Sequence, residues 1–250
     1  MKQPAFIIIG AQKCGTSTLF DLLSRHPQLE GSKKKEIHYF DRNFEKSYNW
    51  YLSHWSVRTK KILFEASPSY LYFPYVPKRI HSVNPNIKLI VILRNPVERA
   101  HSAWKMYHLK FNKQHKRNDV HDHRTFNQAL QEEIDHLESG NGYKNMPYSY
   151  IERGLYSDQI RRYLQFFAGE SILFLNFDDF SDLRGVGQKC TKFLKIRPFE
   201  KVNSLEIHSN QGPKQKLTMK KEILQEMKRR YEIGNRDIKS LTGMDFDWSD

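Results

Sequence analysis

Apolar residues along the chain fall into short runs that are bounded by turn residues and are rich in Ile, Leu, Val and Phe. Such a run is typical of a strand that is buried on both faces of a parallel sheet. The pattern predicts strands at Phe6–Ile9, Ile62–Phe64, Leu89–Leu93 and Ile172–Leu175.

Between these runs, apolar residues recur at intervals of three and four, which indicates helices with one buried face. The predicted helices cover Thr16–Arg25, Pro96–Leu109, Phe126–Leu137, Tyr150–Phe167 and Thr218–Leu241. Strands that alternate with helices indicate right-handed βαβ units, so we predict an α/β fold with a three-layer, doubly wound, mostly parallel sheet. Residues 112–124 and 139–147 are predicted to be loops, the first of them solvated, because they contain few apolar residues.

Length and charge narrow the class of protein. A chain of 250 residues with 38% hydrophobic residues can fill a sizeable core, and no Pro-, Gly- or Ser-rich stretch offers a linker. We therefore predict a single domain over residues 1–250.

The formal net charge of +13 predicts a field that attracts anionic partners. Nucleic acid is the generic partner of such a charge, but no zinc-finger, RNA-binding or basic heptad signature is present, so we expect none.

The expected compartment follows from cysteine content and hydropathy. Cys14 and Cys190 are too few for a disulfide framework, which favours a reducing environment. No segment reaches about 18 consecutive apolar residues, and the first apolar run is too short for a secretion signal. We expect a cytoplasmic protein without a membrane span, or a protein of the Golgi lumen if the sequence is part of a longer, anchored enzyme. The oligomeric state stays open.

The strongest chemical signal follows the first predicted strand, where residues 10–18 read Gly-Ala-Gln-Lys-Cys-Gly-Thr-Ser-Thr. Backbone N–H groups in such a turn, the positive helix end and the hydroxyl groups can together bind a phosphate. The segment is not a Walker A loop, because Lys13 precedes Gly15. No strand ends in a metal-binding Asp, so we expect protein charge rather than a metal to neutralise the phosphates. The predicted ligands are Gln12, Lys13, Cys14, Gly15, Thr16, Ser17 and Thr18.

A second anion site is predicted where the next helix begins. Arg94 ends the most apolar strand, Asn95 and Pro96 form a helix start, and Ser102 lies two turns into that helix. A guanidinium and a hydroxyl near one helix start can bind the same anion. Two separate anion sites suit a nucleotide that carries phosphates on two ribose positions.

Taken together, these segments resemble a known family. Residues 10–18 look like the 5′-phosphosulfate loop of sulfotransferases that use 3′-phosphoadenylyl sulfate (PAPS), and residues 94–102 look like their 3′-phosphate motif. Residues 35–41, Lys-Glu-Ile-His-Tyr-Phe-Asp, are similar to the acidic segment of the heparan-sulfate-type branch. The likeness continues through residues 152–156 and 243–248, although Ala66 stands where that branch commonly has a lysine.

The resemblance implies a P-loop-like phosphate-binding loop and a PAPS-dependent sulfotransferase that requires no metal. Its product would be 3′-phosphoadenosine 5′-phosphate (PAP), and its acceptor a glycan or another hydroxyl or amine compound. The resemblance further implies that Lys13 binds the 5′-phosphosulfate, Arg94 and Ser102 bind the 3′-phosphate, and Glu36 is the catalytic base. Lys214 loosely matches a basic loop over the nucleotide.

The chemistry of the side chains agrees with these roles. Glu36 could deprotonate an acceptor if partial burial raises its pKa, and His38 is the rival base. On an extended segment the two side chains would point to the same side. Lys13 and the loop amides would stabilise the negative charge that develops as the sulfuryl group leaves.

Several alternatives remain at this point. The chain could be an ATP-using phosphotransferase with an atypical loop or a basic nucleic-acid-binding protein, and Glu36 and His38 could be surface residues beside the lysine run 33–35. The spacing of His115, His121 and His123 suggests a metal site, but a solvated loop is the better interpretation without a cysteine or well-placed carboxylate. The aromatic run at residues 70–75 is assigned to packing.

Overall fold

The computed structural model describes residues 2–56, 58–108, 121–140, 148–200 and 218–248. Within these ranges five strands form one sheet, with the order β2-β3-β1-β4-β5, and every neighbouring pair is parallel. The strands are β1 (Phe6–Gly10), β2 (Leu29–Gly31), β3 (Ile62–Ala66), β4 (Lys88–Leu93) and β5 (Ile172–Asn176).

The central strand β1 shows why the apolar runs become strands. All five of its residues are buried. Ile7 is in register with Glu65 on β3 and with Leu89 on β4, so β1 has a partner on both edges. A strand that is covered on both faces and paired on both edges must be apolar along its whole length. The four predicted strands are thus confirmed.

The described residues also form helices, which alternate with the strands along the chain. They are α1 (Thr16–Ser24), α2 (Tyr39–Arg42), α3 (Tyr48–Leu52), α4 (Val76–Val83), α5 (Pro96–His108), α6 (Phe126–Glu138), α7 (Tyr156–Leu164), α8 (Leu183–Leu194), α9 (Lys221–Asn235) and α10 (Ile238–Thr242). The path from β1 to β2 and the path from β3 to β4 run in opposite directions across the sheet. Right-handed crossovers therefore place α1 and α4 on opposite faces, as a doubly wound sheet requires, and the predicted fold class is confirmed.

The described residues form two compact units. The first takes in described residues of Met1–Arg94 and Gln159–Ser209 and contains the whole sheet. The second takes in described residues of Asn95–Asp158 and Asn210–Asp250, and its core includes Trp104, Leu130 and Met227. The single domain over residues 1–250 stays a prediction. No helix in the described part of the chain combines the length and apolar character that crossing a membrane requires.

Two predicted helices are wrong in extent. Instead of one helix over Tyr150–Phe167, a short 3-10 turn at Glu152–Gly154 precedes α7. The side chain of Asn235 accepts hydrogen bonds from the backbone N–H groups of Tyr156 and Ser157, so a distant residue caps a new helix there. The predicted helix Thr218–Leu241 is divided into α9 and α10.

In the described part of the predicted loop 112–124, residues 121–124 form neither helix nor strand, as expected, but Asp122 is not solvated. Asp122 is buried and accepts hydrogen bonds from the Arg124 guanidinium and from the Tyr150 hydroxyl, at 2.7 Å for the latter. A carboxylate with these two partners can be buried without a large cost. Residues 109–120, with His115, and 141–147 lie outside the described residues.

Candidate active site

The carboxyl ends of three adjacent strands meet at one edge of the sheet. The backbone N–H of Ala11, just after β1, donates to the carbonyl of Ile92 on β4 at 2.8 Å. On the other side, the N–H of Ser67, just after β3, donates to the carbonyl of Ile8 at 3.1 Å. In open α/β sheets, ligands bind at this edge where the strand order reverses. The predicted phosphate loop, Arg94 and residues 67–69 all follow strands that end there.

The predicted phosphate loop turns tightly into helix α1. Gly15 is the N-cap of α1 with φ +86°, and Lys13 also has a positive φ of 70°. The Cys14 N–H donates to the Ala11 carbonyl at 3.2 Å, which closes the turn. Thr16 is buried and Ser17 is exposed, so the hydroxyl groups of the loop lie in different surroundings. The loop thus has the strand, turn and helix start that phosphate binding requires.

Arg94 lies beside this loop. Its guanidinium carbon is 4.4 Å from the centre of the Phe177 ring. The same ring packs against Gly15, where an added Cβ would come within 3.1 Å of Phe177. Phe177 thus contacts both the Arg94 guanidinium and Gly15, the residue at which the loop enters α1. Arg94 and the loop belong to the first compact unit.

Two further residues, Ser102 and Lys214, were predicted to bind the nucleotide. Ser102 lies on α5 and is half-buried. The predicted helix start is confirmed, because the Asn95 side chain accepts from the N–H of Val97 at 2.9 Å and of Glu98 at 3.3 Å. Ser102 belongs to the second unit, so its convergence with Arg94 on one ligand stays a prediction. Lys214 lies outside the described residues.

The predicted acidic segment, residues 35–41, runs along the end of β3. The Glu36 N–H donates to the Ala66 carbonyl at 3.0 Å, and the His38 N–H to the Ser67 hydroxyl at 3.3 Å. The expectation of an extended segment is wrong, since Glu36 and His38 both adopt left-handed backbone conformations, with φ of 61° and 56°. Each such residue costs on the order of 1 kcal/mol and persists only where surrounding contacts fix it, which is common at functional sites.

The left-handed conformations of Glu36 and His38 place the side chains of Glu36, His38 and Asp41 in a row. His38 Nε2 lies 3.4 Å from a Glu36 carboxylate oxygen, and His38 Nδ1 lies 2.9 Å from Asp41 Oδ2. The Ser69 hydroxyl donates to the same Asp41 oxygen at 2.6 Å. Lys35 Nζ contacts the other Glu36 oxygen at 3.0 Å. The Glu36 side chain is 43% exposed, whereas that of Asp41 is fully buried, so the line runs from the surface inward.

These contacts fix the charges of the cluster. Burial lowers the pKa of His38, but hydrogen bonds to Asp41 and Glu36 outweigh burial and raise it to about 9. Burial raises the pKa of Glu36, but the partners His38 and Lys35 outweigh it and lower this pKa to about 2. The raised Glu36 pKa that was a condition for its role as a base is therefore not observed: burial acts in that direction, but the net shift is downward. At neutral pH an imidazolium lies between two carboxylates.

Several members of this cluster escaped prediction from the sequence. Asp41 and Ser69 contact His38 directly, and Lys35, which contacts Glu36, was considered only as part of the lysine run 33–35. The spacing Glu-x-His-x-x-Asp in residues 36–41 could have indicated Asp41, because one turn of helix separates it from His38. Ser69 comes from the turn after β3, and no sequence spacing predicts that approach.

The histidine cluster offers no comparable site. His121 Nδ1 lies 2.9 Å from His123 Nδ1, and His121 Nε2 contacts the carbonyl of His108 at 2.7 Å. Across the described ranges, no group of three or more His, Cys, Asp or Glu side chains could hold a metal ion. Both cysteines are buried free thiols.

The parallel sheet with a strand, phosphate loop and helix at its carboxyl edge defines an α/β protein of the P-loop-like class. The Sulfotransferase domain family matches residues 3–243, and the chain belongs to this family.

Comparisons with individual proteins agree with this assignment. A solved sulfotransferase from Alicyclobacillus acidocaldarius is 26% identical, with a TM-score of 0.80 and complete coverage of both chains. Heparan sulfate glucosamine 3-O-sulfotransferase 3B1 from Mus musculus is 27% identical over 98% of this chain and 65% of its own length. Membrane-associated sulfotransferase kil1 from Dictyostelium discoideum is 39% identical over 40% of this chain and 22% of its own length. The chain thus spans less than two thirds of these curated relatives.

Proposed function

We propose that this chain is a sulfotransferase that moves the sulfuryl group of PAPS to an acceptor hydroxyl or amine, with Glu36 as the general base. The observation that carries the proposal is the line of Glu36, His38 and Asp41 at the sheet edge that also holds the phosphate loop. Family membership favours sulfuryl transfer over the alternatives of ATP-dependent phosphotransfer and nucleic-acid binding.

The donor is proposed from the two cationic positions of the first unit. Lys13 in the loop and Arg94 over Phe177 can neutralise phosphate groups at the end of β1 and β4 without a metal. Gln12 and Gly15 would offer backbone N–H groups, and Thr16, Ser17 and Thr18 would add hydroxyl donors. Cys14, whose N–H donates to the Ala11 carbonyl, remains a proposed ligand from the family resemblance. Ser102 and Lys214 remain proposed ligands from the family resemblance.

The proposed step is an in-line displacement at sulfur. The acceptor oxygen or nitrogen forms a bond to sulfur while its proton passes to the Glu36 carboxylate. The bond between sulfur and the 5′-phosphate oxygen breaks, and PAP leaves with the electron pair. Lys13 stabilises the charge on that oxygen, which is greater in the transition state than in the ground state.

The charge states of Glu36 and His38 indicate which of the two can accept a proton. With a pKa of about 9, His38 is protonated at neutral pH and has no free nitrogen to accept a proton. Glu36 is ionised and partly exposed, so it can contact an acceptor. His38 then orients Glu36 and is itself oriented by Asp41.

The acceptor is proposed to be a carbohydrate. Relatives over the same residues are named for heparan sulfate glucosamine, which is a sugar acceptor. Ala66, which is buried, replaces a lysine of that branch, so we propose a glycan that differs from heparan sulfate in its charge pattern.

The test is a screen of glycan, lipid and phenol acceptors with labelled PAPS, comparing wild type with Glu36→Gln. Loss of a general base reduces turnover by about a hundredfold to ten-thousandfold, and PAP affinity should stay unchanged. Glu45→Gln is the matched control, because Glu45 is exposed and near in sequence but absent from the cluster. Full turnover in Glu36→Gln would contradict the assignment of the base.

A further inference from the structure

A second carboxylate, Glu65, lies fully buried beneath the candidate active site. It is the fourth residue of β3, and its two oxygens accept three hydrogen bonds from neutral hydroxyl groups. Tyr51 and Tyr70 donate to Oε1 at 2.8 and 3.2 Å, and Ser67 donates to Oε2 at 2.8 Å. All three donors are neutral, so these contacts are hydrogen bonds and not an ion pair.

Two of the three hydroxyl groups that donate to Glu65 also accept hydrogen bonds from the candidate catalytic segment, residues 36–41. The Ser67 hydroxyl accepts a hydrogen bond from the His38 N–H at 3.3 Å, and the Tyr70 hydroxyl accepts one from the Phe40 N–H at 3.2 Å. Each hydroxyl has one proton, and its donation to Glu65 turns a lone pair toward the backbone. Glu65 thereby sets the direction of both hydrogen bonds to the segment.

We propose that Glu65 is the positioning residue of this site: its carboxylate orients Ser67 and Tyr70 so that they hold His38 and Phe40 in place. The strained backbone of the segment makes such an anchor necessary, because a left-handed His38 keeps its conformation only while outside contacts fix it. This inference rests on the proposed function, in which residues 36–41 carry the base.

The same geometry makes the hydrogen bonds around Glu65 sensitive to protonation of its carboxylate. A protonated Glu65 carries an O–H that needs an acceptor, but the three groups that face it all donate. At least one of these hydrogen bonds must then break or reverse. Burial raises the pKa of Glu65 to about 7, although Ser67 and the two tyrosines lower it, and His38 is the charged group that also acts on it. The anchor should therefore loosen as the pH falls below about 7.

The test is an NMR titration of the His38 ring in the whole chain with PAP bound. Wild type should show the titration of His38 itself near pH 9 and a smaller inflection near pH 7 from Glu65. In Glu65→Gln the inflection should vanish and the His38 pKa should fall toward its ordinary value. PAP affinity, measured by calorimetry, should not change, which shows that the variant is folded.

Further variants separate positioning from other effects. Ser67→Ala keeps the charge of Glu65 and removes its link to His38, so it should lower the His38 pKa as well. Tyr51→Phe removes one donor from Glu65 and should move the inflection to higher pH. Glu133→Gln is the matched control, since Glu133 is a buried carboxylate of the second unit with three donors and a pKa of about 7. It should leave His38 unchanged.

Two outcomes would overturn the positioning role: an unaltered His38 titration in Ser67→Ala, or an inflection near pH 7 that survives in Glu65→Gln. The proposed function fails separately, by full turnover of Glu36→Gln. Because the titration does not depend on turnover, either proposal can stand when the other falls.

Discussion

His38 lies between two carboxylates, and this placement decides which residue of the cluster can act as a base. Its Nδ1 faces Asp41 and its Nε2 faces Glu36, so both nitrogens favour the protonated ring. A protonated ring stabilises the Glu36 carboxylate and holds its orientation. Residues within six positions of sequence therefore take different roles because their surroundings differ.

Replacing Asp41 with Asn should lower the pKa of His38 toward its ordinary value of about 6.5. In wild type the raised pKa stabilises the fold fully below about pH 6.5, and this contribution is lost as the pH rises through about 9. Asp41→Asn should show a smaller loss over that window, by on the order of 1 kcal/mol for each pKa unit removed. Urea unfolding of both proteins between pH 6 and pH 10 measures the difference. Parallel stability curves would contradict the role of Asp41.

Residues that belong to a sequence motif could be predicted, whereas residues whose role depends on tertiary contacts could not. Lys13, Glu36 and His38 lie in motifs that can be recognised along the chain. Glu65 instead follows an apolar run and looks like the end of an ordinary strand. Its role is visible only in the fold, where Tyr51 approaches from α3 and Tyr70 from the turn after β3.

At the scale of elements, predictability follows the length of the apolar pattern. Strands β1 and β4 were predicted because their apolar runs are continuous, whereas β2 was missed because Leu29 is the only large apolar residue in it. The break before α7 was missed for another reason. The Glu133 carboxylate accepts from three backbone N–H groups at residues 150–152, which competes with a helix there.

The joint between β1 and α1 gives a prediction at this scale. Gly15→Ala would place a Cβ 3.1 Å from Phe177 and force alanine into a left-handed conformation. Displacement of Phe177 would also move Arg94, which stacks on it. Calorimetry should therefore show PAP affinity reduced by about tenfold or more, equivalent to about 1.4 kcal/mol.

Gly140→Ala provides the control for this variant. Gly140 has a similar positive φ of 70°, but no atom lies within 4 Å of the position of its Cβ. Backbone strain should lower the stability of both variants by a similar amount, about 1–2 kcal/mol, and Gly15→Ala adds the cost of displacing Phe177. Only Gly15→Ala should lose affinity for PAP. Equal affinities in the two variants would show that the loop does not bind the donor.

For the molecule as a whole, the topology of the sheet and the net charge act together. The strand order β2-β3-β1-β4-β5 brings the phosphate loop, Arg94 and the segment anchored by Glu65 to one edge. The net charge of +13 predicts that the molecule attracts anions. The fold class and the charge could both be predicted from the sequence. The alignment of Glu36, His38 and Asp41 could not, because it depends on left-handed turns held by distant hydroxyl groups.

The net charge should appear in the kinetics of donor binding rather than in the lifetime of the complex. Long-range attraction accelerates encounter, whereas close contacts, here the proposed ones of the donor with Lys13 and Arg94, govern dissociation. Raising KCl from 0.01 to 0.1 M shortens the screening length from about 30 to about 10 Å. Stopped-flow measurements with PAP should show an association rate constant that falls severalfold over this range and a dissociation rate constant that changes little. Adenosine 5′-monophosphate, which carries fewer charges, should show a smaller fall in the association rate. Equal salt dependence for the two nucleotides would mean that the field of the whole molecule does not guide the donor to the site.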